Sequence, residues 1–146
     1  MRPEFPAGSC DQRPVEERDD VLVHTSTPLP APLEVIGRNR VRLVAESTAP
    51  SADWVARLCD VDTAGVSRNI TAGIVRTGHG HPAREHVVDL WSTAHVFRPG
   101  HRIRVPVASS CFPRWNRNLS RPDARQSVYD DAARPSRIVL PVVRTE

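Results

Sequence analysis

The chain has 146 residues, 39% of them hydrophobic and 25% charged, which suffices for the core of one domain and leaves no room for two ordinary ones. Fourteen Pro against seven Gly disfavour long helices and favour short extended segments between turns. A net charge of +3, carried by 20 Arg and no Lys, reads as a GC-rich coding bias and allows at most weak, salt-sensitive attraction to polyanions.

No run approaches the roughly 18 apolar residues of a membrane span, and the N-terminus lacks the apolar core of a secretory leader. No membrane association is therefore expected, and the expected location is cytoplasmic. Residues 1–19 read as a Pro-rich linker or tail, with Pro3, Pro6 and Pro14 among acidic residues and only Phe5 and Val15 as apolar anchors. From residue 20 to 146 the pattern is that of one β-domain. Asp20-Val-Leu-Val-His24 is a short strand, ended by Pro28, Pro30 and Pro32. Leu33 to Ile36 follows, then a turn at Gly37-Arg-Asn39.

Arg40 to Ala45 alternates, with Val41, Leu43 and Ala45 on one face and Arg40 and Arg42 on the other. Asp53 to Asp60 does the same, Trp54, Ala56 and Leu58 opposing Arg57 and Cys59. Period-two alternation is what a half-buried antiparallel strand requires, because successive side chains leave opposite faces. Asp62-Thr-Ala-Gly65 is a turn before the run Ser67 to Val75. Glu85 to Phe97 is a longer extended segment, Val88 and Leu90 facing away from Val87, Asp89 and Trp91. After the Pro99-Gly100 turn, Ile103, Val105 and Val107 alternate with Arg102 and Arg104. Ser109 to Arg125 is polar, rich in Arg and Pro, and expected as a long loop; Ser127 to Tyr129 and Ile138 to Val143 complete the series. About nine short strands between turns are the signature of an all-β sandwich or barrel.

Candidate sites are few. Gly-x-Ser-x-Gly, which places a hydrolase nucleophile on a strained elbow, is absent; Gly8-Ser9-Cys10 and Gly65-Val-Ser67 lack its second Gly. Cys10, Cys59 and Cys111 are odd in number and without C-x-x-C spacing, so neither a zinc site nor a disulfide frame is expected, and the thiols read as reduced. His79 and His81 sit at a Gly- and Pro-flanked loop tip with no Cys or paired carboxylate to complete a shell, so no metal is expected, nor any cofactor. His95 and His101 flank the Pro99-Gly100 turn, where a structural hydrogen bond is the default role. Arg114, Arg117, Arg121 and Arg125 with Phe112 and Trp115 superficially suggest a stacking groove, but Asp123, Asp130 and Asp131 offset the charge and no fold-specific motif accompanies them, so no nucleic-acid partner is expected. A sugar platform of exposed rings is the other option, although most of the seven aromatics are expected inside.

Several phrases stand together in the order of one family. Asp11-Gln-Arg-Pro-Val-Glu-Glu-Arg18, Asp20-Val-Leu-Val-His-Thr25, Pro32-Leu-Glu-Val-Ile-Gly37, Asp53 to Val61 and Asn69-Ile-Thr-Ala-Gly-Ile-Val-Arg76 resemble the C-terminal domain of the cocaine esterase / X-Pro dipeptidyl-peptidase hydrolases. The most specific stretches are Asp89 to Arg104 and Ser109-Ser-Cys-Phe-Pro-Arg-Trp-Asn-Arg-Asn118; Pro135 to Pro141 also fits. Cys111 and Asn116 stand where that family tends to have Asn and Asp, and the segment around 78–84 looks shortened.

The resemblance implies a jelly-roll β-sandwich, galactose-binding-domain-like, which agrees with the strand count. It also implies a separate α/β-hydrolase catalytic domain that carries the Ser–Asp–His triad and precedes the sandwich. No catalytic residue carries over to any position here, so the chain is expected to be inactive alone, a non-catalytic accessory domain working beside a hydrolase of peptide, ester or acyl bonds. Phe112, Arg114, Trp115 and Arg117 are the candidate contacts with that domain, since aromatic and Arg side chains anchor desolvated interfaces. Alternatively, Phe112 and Trp115 cap one end of the sandwich. A docking domain on its own is expected to leave a bare apolar patch and to self-associate. A stand-alone carbohydrate-binding module and an independent enzyme are the rival functions.

Overall fold

The structure is a computed structural model and describes residues 8–78, 82–120 and 123–144. Among them are a single helical turn, α1 (Arg13–Glu16), and eight strands: β1 (Val21–Thr25), β2 (Leu33–Ser47), β3 (Ser51–Val61), β4 (Ser67–Gly78), β5 (Arg84–Phe97), β6 (Arg102–Ala108), β7 (Gln126–Tyr129) and β8 (Arg137–Val139). All pairings are antiparallel. One sheet has the order β1-β6-β3-β4; the other runs β5-β2-β7, with β8 pairing beside β7 on the same edge of β2. The chain crosses between sheets repeatedly, giving the jelly-roll sandwich.

Sequence alternation places the core. Val35, Val41, Leu43 and Ala45 of β2 and Val88, Leu90 and Phe97 of β5 face Trp54, Ala56 and Leu58 of β3 and Val107 of β6, all at most 3% exposed. The core is aliphatic. Of the seven aromatics only Trp54 and Phe97 are buried among the described residues, while Trp91 and Phe112 are exposed, so the expectation of mostly internal rings is overturned.

Two further expectations change. The strands are fewer and longer than the nine short ones read from the sequence, because Gly37-Arg-Asn39 is not a turn: the chain passes straight through it as β2. Between the pairs Arg38↔Ser92 and Arg40↔Asp89, β5 carries one more residue than β2, a β-bulge at Leu90–Trp91 opposite Asn39. Trp91 takes φ 67°, rare for a bulky residue, and its indole turns outward. Buried Asn39 holds the bulge, its Nδ2 donating to the Trp91 carbonyl at 3.2 Å and to Thr93 Oγ1 at 2.8 Å. The inward set of β5 therefore switches from Val88 and Leu90 to Thr93, His95 and Phe97.

The Asp62–Gly65 turn forms as expected. Asp62 Oδ1 accepts from the amides of Ala64 and Val66, and Gly65 supplies the left-handed φ of 84°. Within the segment read as a tail, residues 11–17 pack on the domain. Gln12 is 5% exposed and its amide donates to the Ser67 carbonyl. Glu16 of α1 accepts from Ser67 Oγ at 2.6 Å and from Arg104 Nη1 at 2.7 Å. No helix among the described residues is long and apolar enough to cross a membrane.

Candidate functional site

β3 is buried on both faces. Its inward residues belong to the core, yet outward-facing Asp53, Val55 and Cys59 are also at most 2% exposed. Their cover comes from two segments distant in sequence. One is the N-terminal stretch around residues 8–18, and the other is the loop of residues 109–120. Between these walls lies an open concavity of about 1060 Å³, floored by Ser51, Asp53, Val55 and Arg57 of β3 and Pro106 and Ala108 of β6.

Hydrogen bonds fix both walls to the floor. Arg57 donates from Nη1 to Gln12 Oε1 at 2.8 Å and from Nη2 to Cys111 Sγ at 2.9 Å, so one guanidinium ties the N-terminal wall to the loop wall. Gln12 passes the contact on, Nε2 donating to Asn69 Oδ1 of β4 at 3.3 Å, the oxygen that also accepts from the Cys10 amide at 2.8 Å. At the other end Asn118 Nδ2 donates to Ser51 Oγ at 2.9 Å and Asp53 Oδ1 at 3.2 Å, and Ser120 Oγ donates to the Ser51 carbonyl at 2.6 Å. Arg76 closes on Asp53 through two parallel bonds of 2.7 and 2.8 Å. A planar fork on a carboxylate is the geometry in which such a pair is strongest.

Phe112, Arg114 and Arg117 lie along this concavity, while Trp115 stands behind Arg114. The structure sorts the four into two stacks. The Arg117 guanidinium lies 4.7 Å from the Phe112 ring centre, and Arg114 lies 4.7 Å from that of Trp115. Neither ring is buried: Phe112 is 55% exposed and Trp115 half-buried. Arg121 and His79 and His81 lie outside the described residues; Arg125 is exposed beyond the loop, its amide donating to Thr48 Oγ1. The sequence singled out the aromatic–Arg composition of this loop, but not Gln12, Arg57, Asn69 or Asp53. Gln12 sat in an apparent tail, and the others looked like ordinary solvent-facing positions of strands.

A second cluster joins the sheets. Asp60 at the end of β3 receives His95 Nε2 of β5 at 2.8 Å and His101 Nδ1 of the β5–β6 turn at 2.7 Å. The structural hydrogen bond expected for both histidines is present. Among the described residues neither imidazole meets a hydroxyl or thiol, so this carboxylate–imidazole set has no nucleophile within reach. A sugar platform needs rings on one plane. Trp91 projects from the β5-β2 sheet, beside Arg38, whereas Phe112 lines the concavity on the opposite layer.

Comparison with known proteins agrees with this architecture. The X-Pro dipeptidyl-peptidase C-terminal non-catalytic domain matches residues 6–139. Cocaine esterase of Rhodococcus sp. (strain MB1 Bresler) is 34% identical over 160 residues, spanning 94% of this chain and 28% of the relative. A putative serine esterase of Mycobacterium bovis is 32% identical over 85% of this chain and 24% of its own length. Among solved structures, an α-amino acid ester hydrolase superposes with a TM-score of 0.81 at 31% identity, covering 91% of this chain and 27% of that one. An aminopeptidase from a marine sediment Thaumarchaeota archaeon gives 0.80 at 31% identity, covering 92% of this chain and 27% of that one. The chain thus spans about a quarter of the length of these relatives. Matched over residues 6–139 by that family and aligned along 85–94% of its length with one segment of longer hydrolases, this antiparallel sandwich belongs to the X-Pro dipeptidyl-peptidase C-terminal non-catalytic domain family.

Proposed function

We propose that this chain is the accessory β-sandwich of a cocaine esterase / X-Pro dipeptidyl-peptidase-type serine hydrolase acting on peptide, ester or acyl bonds, and that it works docked on an α/β-hydrolase catalytic domain, in cis or as a separate polypeptide, in the cytoplasm. The concavity faces that domain, with Phe112, Arg114, Trp115 and Arg117 on the contacting surface. One observation carries the reading. Residues 8–12 line one wall of the concavity and Phe112 and Arg117 the other, which supports seating there of a partner joined ahead of this domain. Aromatic and Arg side chains at a concave rim are the usual anchors of such contacts.

The test is a domain exchange. The Rhodococcus cocaine esterase carrying this chain in place of its own matching segment is expected to fold and retain ester hydrolysis, while the purified chain alone does not turn over p-nitrophenyl acetate. Turnover by the isolated chain that a serine-directed inhibitor abolishes would overturn the reading, as would an inactive exchange protein built from a chain that folds by itself.

A further inference from the structure

The charges around the concavity do not cancel evenly. Among the described residues, each of its three carboxylates already has a guanidinium partner: Asp11 pairs with Arg13, Asp20 with Arg18 and Asp53 with Arg76. Three of its guanidiniums have none among the described residues. Arg57 spends its donors on Gln12 and Cys111, neither of them a carboxylate, and lies on the floor. Among the described residues, the contacts of Arg114 and Arg117 are their ring stacks, and both stand exposed on the loop wall. Stacking fixes the plane of a guanidinium while leaving its N–H edge open, so less side-chain freedom is lost when a planar acceptor arrives. A cleft also concentrates the field of one sign of charge.

We propose that Arg114 and Arg117 are carboxylate-gripping anchors, and that the surface docking into this concavity is an acidic face of the catalytic domain, presenting Asp or Glu side chains to both. This rests on the accessory reading above and adds the chemistry of the partner. The occupant is that domain because Gly8, Cys10 and Gln12 line the same concavity and the relatives hold about three-quarters of their length outside the matched segment. Forked contacts to carboxylates give such an interface register as well as attraction, and exposed pairs of this kind weaken as salt rises.

The experiment uses the exchanged esterase described above, with Arg114→Gln and Arg117→Gln combined, and follows the half-life of ester hydrolysis on heating in low and high salt. The parent exchange protein is expected to lose lifetime as salt rises. The double variant is expected to be about tenfold shorter-lived at low salt and insensitive to salt, and Arg98→Gln, on the exposed β5–β6 turn, to behave as the parent. An active double variant with the parent's lifetime and salt response overturns the carboxylate grip and leaves the accessory reading standing. An inactive parent exchange protein, built from a chain that folds by itself, instead overturns the accessory reading. A second measurement needs no exchange protein: in the isolated chain titrated with poly-L-glutamate, the side-chain Nε–H signals of Arg114 and Arg117 are expected to shift before that of Arg98. Equal shifts of all three overturn the grip.

Discussion

Gly73 of β4 lies against the carbonyl of Asp89 on β5, so close that a Cβ on Gly73 would stand 1.9 Å from that oxygen. This is where the two sheets meet along one edge, and the neighbouring Thr71 hydroxyl donates to the Leu90 carbonyl across the same seam. Backbone cannot yield as a flexible side chain does. Gly73→Ala is expected to cost at least about 2 kcal/mol, read from the urea midpoint; an unchanged midpoint would show that the seam opens freely.

Glu16 fastens the N-terminal segment. Its side chain is 5% exposed and its two oxygens are held by Ser67 and Arg104. Removing the acid leaves a hydroxyl and a partly buried guanidinium short of a partner, so Glu16→Ala should lower stability by about 2–3 kcal/mol. Limited proteolysis should then cut within residues 8–20 before the strands, where the parent chain resists.

His86 stacks on Trp54 with ring centres 6.1 Å apart. Burial first, and the nearby Arg84 charge second, hold its imidazole below the ordinary value. The unfolded chain therefore binds this proton more readily than the folded one, and stability is lost as pH falls below about 6.5, flattening once the folded imidazole is also charged. In denaturation at about pH 7.5 and about pH 5, His86→Gln should narrow the gap between the two pH values; an identical gap would contradict the assignment.

Cys59 is fully buried on the outer face of β3, and its thiol is pushed up to about 12, by burial first and by the Glu16 carboxylate second. Cys10 and Cys111 are partly exposed in the concavity. A thiol reagent applied to the native chain should label those two and spare Cys59 until the fold opens. Labelling of three thiols at one rate would mean that the N-terminal segment does not cover β3.

The inward faces of β2 and of the first half of β5 were legible because period-two alternation records a half-buried strand directly, as at Val41, Leu43 and Ala45. The passage through Gly37-Arg-Asn39 was not. Gly and Asn are turn punctuation in isolation, and only the partner strand reveals that the irregularity is an extra residue at Trp91. The outer face of β3 was illegible for a related reason: alternation says which residues leave the core, not that a distant loop returns to cover them. At the candidate site the loop's residue types pointed to Phe112, Arg114, Trp115 and Arg117. Their pairing into two stacks, and the link from Arg57 to Gln12, depend on a chain path that no local pattern encodes.

The double grip of Arg57 has a mechanical consequence. Because one guanidinium fork holds Gln12 of the N-terminal stretch and Cys111 of the loop together, displacing the first segment strains the anchorage of the second. The two walls are therefore coupled and do not shift as independent flaps.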